Sequence, residues 1–389
     1  MTHVGLGIPS NYKQHAREDS KRAAESVGLK VIGLFHEPSA GAWGNRAHER
    51  GDGLILILDL GGGTFDVSIV KVSGNAVEVI ATNGVQKLGG MDYHQRLLEH
   101  CLGEFEAKCG FKPTLKSHPI VLQEMYHRVE QTKLMLTARE TTQIPVVCDG
   151  KAVTVDITRK EFAELTEDLT QKAMECAEKT LKESGIQTKD IREVMVIGGA
   201  GLMPCFREEV EKHFEKPPSQ HCEPHLAVAL GTAMLGRIEI EKEGGTVSGE
   251  SGRALPPSGL HSREITSHPI GVCVKRKDEK LVNSVVIPKA KRIPCDITEY
   301  YQLAELGQTG AGIQLLQGPE NAAVEDCQIL GEGELDGLPA IYDEPHKIEI
   351  RVRFDKNGVI TATAYDPLCG RSVDIVVAYK NKKDGKHAA

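Results

Sequence analysis

The amino-acid sequence predicts an α/β domain followed by a separate all-β domain. Segments with helical and strand patterns alternate up to about residue 240, which favours a layered α/β fold. From residue 265 to 379, short β-rich runs are separated by turns, which indicates an all-β domain. The segment Gly244–His261 is rich in Gly, Ser and Pro, as is typical of a linker. The predicted organisation is therefore a first domain over 1–243, a linker over 244–264, a β domain over 265–380 and a tail over 381–389.

Composition places the chain among globular proteins. It has 389 residues, of which 40% are hydrophobic and 26% charged, enough for two or three domains with full cores. The net charge of −8 argues against nucleic acid as a partner. No apolar run is long enough for a membrane span, and the N-terminus lacks the pattern of a signal peptide. We therefore expect neither a nucleic acid nor a membrane among its partners.

The cysteines indicate a reducing compartment. Ten of them are scattered along the chain without a CxxC pair. Free thiols in the cytoplasm explain this distribution best, although disulfides or a metal site stay open. No His and Cys residues occur at a recognised metal-binding spacing.

Local patterns predict the order of the elements in the first domain. Helices are expected over Gln14–Val27, Ser39–His48, Met91–Lys108, Pro119–Ala138, Thr158–Ser184, from Pro204, and over Pro224–Ile240. Strands are expected over Val31–Phe35, Leu54–Leu58, Phe65–Val70, Val77–Thr82, within Pro145–Val155, and over Val194–Ile197. In the β domain, strands are expected over Ile270–Val274, Val285–Ile287, Glu299–Leu303, Ile313–Gln317, Lys347–Phe354, Val359–Ala364 and Val373–Val377.

A glycine-rich turn between two predicted strands is the strongest local feature. The apolar run Leu54–Leu58 is followed by Asp59, and Phe65–Val70 returns with apolar residues at alternate positions. The glycines of Gly61–Gly63 allow close backbone approach and leave N–H groups that can hold an anion. Such groups flanked by carboxylates suit a phosphate that carries hydrated Mg²⁺. An ordinary hairpin turn explains the local sequence equally well, so the context has to decide.

Several short segments along the chain supply that context. They are Ile8-Pro9, His36–Ala40, Asp59–Ser68 (DLGGGTFDVS), Ala81–Gly84, Leu88–Gly90, Ile197–Gly199 and Leu316–Gly318. In content and order, these segments resemble the heat-shock protein 70 chaperones. The resemblance extends from residue 8 to about residue 379, and DLGGGTFDVS is its most specific motif.

The resemblance implies an α/β actin-like (ribonuclease H-like) nucleotide-binding domain, here partial, followed by a β-sandwich peptide-binding domain. The family binds ATP and Mg²⁺ between two lobes, and the state of the nucleotide controls the grip on unfolded or extended apolar peptides. By position, the residues implied around the β- and γ-phosphates are Gly61, Gly62, Gly63 and Thr64. Glu37 and Asp59 would hold Mg²⁺ through water and orient the attacking water, with Asp66 in support. On the residues alone, a helix cap or a solvated charge explains Glu37 as well.

The resemblance also implies an adenosine side of the site. Glu130, Lys133 and Thr137 share one helical face by their spacing. In the family this face contacts adenosine, and its acid accepts hydrogen bonds from the ribose; without the resemblance, a solvated charged stripe is the better interpretation. Glycines implied to pack against the nucleotide are Gly89, Gly90, Gly198 and Gly199.

The resemblance also implies residues that bind peptide in the β domain and residues that couple this domain to the nucleotide. Pro9 and Arg17 resemble an allosteric pair that relays the nucleotide state, although a turn proline and a solvated arginine are the simpler interpretation. The implied peptide groove comprises Val274, Tyr301, Ala304, Gln308, Ala311 and Ile313; apolar positions on a β face also commonly belong to a core. A J-domain co-chaperone and a nucleotide-exchange factor are implied partners.

The sequence also departs from the family pattern. No counterpart of the first phosphate loop, the catalytic lysine or the helical lid is found, so we expect impaired ATP hydrolysis and weak, fast peptide binding. Each charge-assisted phosphate contact is worth about 1.5–3 kcal/mol, so losing several would weaken ATP binding by about three or more orders of magnitude. Ala200 and Leu202 stand where serine and the arginine beside adenine are usual, and His225 replaces an aspartate.

Three classes of function follow from the sequence. The first is an ATP-dependent protein-folding chaperone of the stress response, whose ATPase cycle controls the binding of unfolded peptides. The second is a non-enzymatic peptide-binding or scaffold protein with a degenerate nucleotide site. The third is an actin-like sugar kinase, which the β domain and the lack of a sugar-site motif argue against. Peptide binding with and without ATP distinguishes the first two.

Overall fold

The computed structural model describes residues 3–10, 12, 14–219, 221–249, 255–356, 358–375 and 377. The chain divides into two compact units, which we call unit 1 (Met1–Phe35 with Arg263–Ala389) and unit 2 (His36–Ser262). Residues 1–35 thus pack with the β-rich segment, whereas the sequence assigned them to the first domain. The tail predicted over 381–389 lies outside the described residues.

The helices and strands run along the chain in the following order. The α-helices are α1 (Gln14–Ser26), α2 (Glu37–Gly44), α3 (Gly90–Cys109), α4 (Pro119–Ala138), α5 (Arg159–Leu165), α6 (Glu167–Ser184), α7 (Pro204–Phe214) and α8 (Pro224–Lys242). The strands are β1 (His3–Ile8), β2 (Lys30–His36), β3 (Gly53–Leu60), β4 (Thr64–Ser73), β5 (Ala76–Gln86), β6 (Thr141–Cys148), β7 (Lys151–Thr158), β8 (Ile191–Ile197), β9 (His261–Ile265), β10 (Ile270–Lys275), β11 (Leu281–Ile287), β12 (Arg292–Ile293), β13 (Cys295–Gln302), β14 (Gly310–Gln317), β15 (Gln328–Asp336), β16 (Lys347–Phe354), β17 (Ile360–Tyr365) and β18 (Ser372–Ile375).

Unit 2 is built on a mixed sheet with helices on both faces. Its strands follow the order β5-β4-β3-β8, in which β3 is antiparallel to β4 and parallel to β8. Leu56 and Leu58 face one core together with residues of α3 and α6. Ile55 and Ile57 point to the other face and are also fully buried. On that face α2 packs against β3 and β4, so the near-continuous apolar run of β3 reflects burial on both sides.

One predicted helix of unit 2 is interrupted. Thr158 is the N-cap as expected, since its hydroxyl accepts the backbone N–H of Glu161 at 3.0 Å. The single helix expected over Thr158–Ser184 is wrong, because the chain leaves helical geometry at Thr166 (φ −119°) and continues as α6. The Thr166 hydroxyl donates to the carbonyl oxygen of Phe162 at 2.8 Å, a local bond that competes with the helical ladder.

Unit 1 contains two four-stranded antiparallel sheets that contribute to one hydrophobic core. Their orders are β11-β10-β14-β15 and β13-β16-β17-β18. Val272 and Leu315 come from the first sheet, and Val352 and Ala364 from the second. Sequence patterns missed β15, because its glycines weaken the strand signal and its pairing with β14 decides its structure.

Two glycines allow helices α2 and α8 to cross in backbone contact. A Cβ at Gly231 of α8 would overlap the carbonyl oxygen of Ala40, and a Cβ at Gly44 of α2 would overlap the carbonyl oxygen of Ala227. No side chain fits between the two helices at these points. This crossing fixes α2, and therefore Glu37 at its first position, relative to the sheet.

Gly231→Ala should therefore destabilise unit 2. We expect a loss of about 1–3 kcal/mol in the free energy of unfolding, because the added methyl group forces the helices apart. The matched control is Gly236→Ala on the same helix, where a Cβ meets no atom within 4 Å. The control should gain about 0.5–1 kcal/mol from helix propensity. Urea unfolding measures both, and equal effects would contradict the close crossing.

Candidate nucleotide site

Three acidic side chains converge at the end of the central sheet of unit 2. Asp59 near the end of β3 lies directly opposite Asp66 of β4 in the antiparallel register, which puts both side chains on the face covered by α2. Glu37 begins α2 above them. Asp59 and Asp66 are 5% and 1% exposed, and Asp59 Oδ2 has no hydrogen-bond partner within the described residues. Like charges directly opposite each other destabilise a sheet. A role in binding, rather than in stability, explains why the two carboxyl groups are buried together.

Burial and neighbouring carboxyl groups raise the pKa of Glu37 and of Asp59. Burial, followed by repulsion from Asp66, raises the pKa of Glu37 to about 7. Burial, followed by repulsion from Glu37 and then Asp66, raises the pKa of Asp59 well above its usual range. A divalent cation would remove both causes, since it replaces lost hydration and neutralises the repulsion. Oxygen donors with an unpartnered carboxylate oxygen fit hydrated Mg²⁺.

The glycine turn after β3 packs against the start of α3. Gly90 and Met91 donate their backbone N–H groups to the carbonyl oxygens of Gly61 (2.9 Å) and Gly62 (2.8 Å). The Gly61 N–H donates to the carbonyl oxygen of Thr64 at 3.0 Å. Across the described ranges, the N–H groups of Gly62 and Gly63 meet no acceptor. The turn therefore presents amides suited to an anion.

Gly89 and Gly90 permit this packing. A Cβ at Gly89 would lie 2.5 Å from the nitrogen of Gly63, and one at Gly90 would lie 2.8 Å from Nζ of Lys133. Lys133 is buried, and its ammonium group donates to the carbonyl oxygen of Gly90 at 3.4 Å. Burial lowers the pKa of Lys133, which the carboxylate of Glu130 partly offsets. The structure thus brings Lys133 to Gly90, the first residue of α3, whose N–H group bonds to the glycine turn.

Gly198 and Gly199 follow β8, which lies parallel to β3. Gly198 has a φ of +83°, and a Cβ there would lie 2.6 Å from Oδ1 of Asp59. Only glycine combines this backbone geometry with this close approach. A Cβ at Gly199 would meet no atom within 4 Å, so there is free space beside this residue.

The other predicted positions of α4 lie on the surface. Thr137 is exposed, and its hydroxyl donates to the carbonyl oxygen of Lys133 at 3.4 Å. The Glu130 side chain is 46% exposed and lies 3.9 Å from Nδ1 of His127. Both are therefore accessible to a ligand, and only Lys133 of this trio is buried.

His94 on α3 was missed by the sequence analysis. It is 6% exposed, and neither ring nitrogen has a hydrogen-bond partner within the described part of the chain. Burial, followed by repulsion from Lys133, lowers the pKa of His94 to about 4. The side chain is therefore neutral at pH 7 and lies beside the buried lysine. The sequence signal that could have indicated His94 is its position one helical turn after Gly90.

The residues predicted for a peptide groove occupy different environments in unit 1. Ile313 is 6% exposed and belongs to the core. Val274, Tyr301 and Ala311 are partly buried against the same core. Ala304 is exposed. Gln308 lies in the loop between β13 and β14, where its side-chain amide oxygen accepts the backbone N–H of Glu305 at 3.2 Å.

Arg17 contacts the segment that follows Pro9 in unit 1. The guanidinium of Arg17 donates to the carbonyl oxygens of Tyr12 at 3.2 Å and Ser10 at 3.4 Å. Arg17 is 5% exposed, and burial lowers its pKa to about 10, an effect that the carboxylate of Glu264 opposes. Arg17 is therefore not a solvated helix arginine, and it joins the segment after Pro9 to the start of the β-rich segment.

Comparison with known proteins assigns the family. The mixed sheet of unit 2, with helices on both faces, fits the actin-like fold that the sequence resemblance implies. A model of the family described as "Hsp70 protein" matches residues 1–388, so the chain belongs to the Hsp70 family. It is 29% identical over 388 residues to "Chaperone protein DnaK" of Deinococcus proteolyticus. The alignment covers 97% of this chain and 58% of that relative.

The acidic cluster predicts how stability depends on pH. Because the pKa of folded Glu37 is about 7 rather than the usual 4.5, the folded state binds the proton more tightly. Stability is therefore highest below pH 4.5 for this group and falls as pH rises through 7. Without divalent cations, Glu37→Gln should remove about 1–3 kcal/mol of that pH dependence in urea unfolding.

The control for this prediction is Glu175→Gln, which changes an exposed carboxylate on α6. It should leave the pH dependence of the unfolding free energy unchanged. A Glu37→Gln protein with the wild-type pH profile would contradict the raised pKa of Glu37.

Proposed function

We propose that this chain binds Mg-ATP at the carboxylate and glycine site of unit 2 and hydrolyses it, and that the nucleotide state controls the binding of unfolded peptides. The observation that supports this most is the buried pair Asp59 and Asp66, opposed across β3 and β4 beside Glu37. Membership of the Hsp70 family supports the same conclusion. The named relative is a chaperone, and this chain spans 58% of its length.

We assign the roles in the site from the chemistry of its residues. Glu37 and Asp59 would hold Mg²⁺ through water, with Asp66 in support, and the metal would neutralise charge on the phosphate oxygens. The amides of Gly62 and Gly63 and the hydroxyl of Thr64 would bind the phosphates. Glu37 and Asp59 would also orient the attacking water beside the phosphates.

Asp59→Asn tests this assignment. It removes one of three repelling carboxylates, so the metal-free protein should be at least as stable as wild type. ATP hydrolysis should fall about a hundredfold, because the Mg²⁺ water shell loses a buried anion. Single-turnover hydrolysis and thermal unfolding measure the two effects.

The matched control is Asp168→Asn on α6, whose carboxylate is 48% exposed and pairs with Arg96. It should change neither hydrolysis nor the Mg²⁺ dependence of ATP binding. Full hydrolysis by the Asp59→Asn protein would remove Asp59 from the mechanism and would leave the site without its proposed function.

The adenosine side would be formed by α4 and the glycines around it. Glu130, Lys133 and Thr137 would face the nucleoside, with Gly89, Gly90, Gly198 and Gly199 packed against the nucleotide. Leu202 occupies the position where the family resemblance implies an arginine beside adenine. The loss of a cation from an aromatic face costs about 0.5–2 kcal/mol, so we expect weak ATP binding and impaired turnover.

Leu202→Arg should therefore strengthen the binding of ATP about tenfold. Isothermal titration with Mg-ATP measures the affinity. Leu202→Lys is the matched control, because it adds a charge but lacks the planar group that stacks on adenine. Arginine and lysine variants with equal affinity would indicate a general charge effect, and no gain from either would show that position 202 does not face the nucleotide.

Unit 1 would supply the peptide-binding part of this function. We infer that its two sheets form a β-sandwich domain, within the boundaries 265–380 expected from the sequence, and that 244–264 is the linker. Its groove would include Val274, Tyr301, Ala304, Gln308, Ala311 and Ile313. Pro9 and Arg17 would transmit the nucleotide state, because Arg17 bonds to the carbonyl oxygen of Ser10 next to Pro9.

Fluorescence anisotropy with an extended apolar peptide tests the coupling. Addition of Mg-ATP should speed release of the peptide, whereas Mg-ADP should not. Arg17→Lys should weaken this response, since one ammonium group cannot reproduce the two guanidinium bonds to Tyr12 and Ser10. Lys21→Arg on the exposed face of α1 is the control. Peptide binding that ATP never changes would instead favour a non-enzymatic binding protein.

Cellular context follows from composition and family. Every cysteine is a free thiol, so we infer a reducing compartment, the cytoplasm, and a role in the stress response. None of the described helices is long and apolar enough to cross a membrane. Family membership makes a J-domain co-chaperone and a nucleotide-exchange factor the expected partners.

A further inference from the structure

A histidine, a cysteine and an aspartate meet in unit 2 at a place that the nucleotide site does not use. His118 immediately precedes α4, Cys148 ends β6, and Asp149 follows in the turn to β7. One ligand atom from each of these side chains lies within 4.8 Å of the others. Nε2 of His118 is 3.0 Å from Oδ2 of Asp149. Cys148 is 2% exposed, whereas Asp149 lies at the surface.

The imidazole ring of His118 is held from its other side. Its Nδ1 lies 2.8 Å from the hydroxyl of Ser117, and that hydroxyl accepts the backbone N–H of Thr114 at 3.1 Å. When Nδ1 donates to Ser117, the lone pair of Nε2 points toward Asp149 and Cys148. A hydrogen bond of this kind is what orients the histidine ligands of protein metal sites.

The hairpin that carries Cys148 and Asp149 is fixed to the end of α3. Cys148 pairs with Lys151 across the turn, and Nζ of Lys151 donates to the carbonyl oxygen of Cys109 at 2.7 Å. The same ammonium group lies 5.3 Å from the ring centre of Phe111. The ring of Phe111 in turn lies 6.0 Å from the ring of His118, centre to centre. Lys151 and Phe111 therefore connect the hairpin to the segment that carries His118.

We propose that His118, Cys148 and Asp149 form a binding site for a divalent metal of the zinc class. A thiolate, an imidazole and a carboxylate are the ligands that Zn²⁺ and Co²⁺ accept, whereas Mg²⁺ and Ca²⁺ prefer oxygen donors alone. Three protein ligands leave a fourth, tetrahedral position for water. Ligand atoms around zinc lie about 3.3–3.8 Å apart, as its bond lengths of about 2.0–2.3 Å require. The ligand atoms that are farthest apart in the cluster therefore have to approach by up to about 1 Å on binding.

The metal would join the start of α4 to the β6–β7 hairpin. Binding to the folded state alone stabilises it by mass action, so the unfolding temperature should rise with free Zn²⁺. This effect does not depend on nucleotide. A protein that Zn²⁺ does not stabilise would therefore contradict the metal site and leave the proposed ATP site untouched. A protein that does not bind ATP would contradict the nucleotide site alone.

Titration of the full-length, reduced chain with Co²⁺ tests the proposal. We expect a thiolate-to-cobalt charge-transfer band and the visible bands of a tetrahedral centre, saturating at one equivalent and displaced by Zn²⁺. Oxygen ligands of the nucleotide site give no thiolate band, so the two sites are distinguished. Cys148→Ser should abolish the charge-transfer band, and His118→Ala and Asp149→Asn should each weaken Co²⁺ binding about tenfold or more.

Matched controls separate the site from other histidines and thiols. His127→Ala changes a 72% exposed histidine on α4, and Cys205→Ser changes a half-buried thiol at the start of α7. Both should bind Co²⁺ as the wild type does. Circular dichroism checks the fold of Cys148→Ser, while the surface variant Asp149→Asn tests the site without altering the core. A missing thiolate band, or a band that survives Cys148→Ser or His118→Ala, would overturn the proposal.

Discussion

The burial of Asp59 beside the carboxyl groups of Glu37 and Asp66 is the constraint on which the site of unit 2 depends. The antiparallel register of β3 and β4 puts Asp59 and Asp66 directly opposite each other, and α2 adds Glu37 above them. Burial prevents water from screening the charges, which raises the pKa values of Glu37 and Asp59. Such an arrangement destabilises the folded protein when no cation is bound. We therefore interpret it as a cation-binding site.

Close backbone approach keeps this arrangement in place. Glycines are required where the turn after β3 meets α3, where β8 passes Asp59, and where α2 crosses α8. At Gly89, Gly198 and Gly231 a methyl group would collide with backbone or with a catalytic candidate. The site is therefore positioned by main-chain contacts of the sheet and helices, which are stiffer than contacts between long side chains.

Much of the fold and part of the site could be predicted from the sequence. Helix α4 and the hairpin of β3 and β4 have strong periodicity and clear end signals, and the structure confirms them. The break at Thr166 was missed because a side-chain bond to Phe162 ends the helix inside an otherwise helical pattern. The cluster of His118, Cys148 and Asp149 was missed because His118 and Cys148 are 30 positions apart in sequence, and only packing brings them together.

The sequence by itself determined the family and the chemistry available to it, since DLGGGTFDVS and the later landmarks specify residue types at defined positions along the chain. Tertiary structure alone decided which of those residues act together. Strand register sets Asp59 opposite Asp66, and helix packing buries Lys133 against Gly90 while Glu130 and Thr137 stay at the surface. The physical reason is that pKa, desolvation and close approach depend on distances through space, which residue spacing along the chain does not contain.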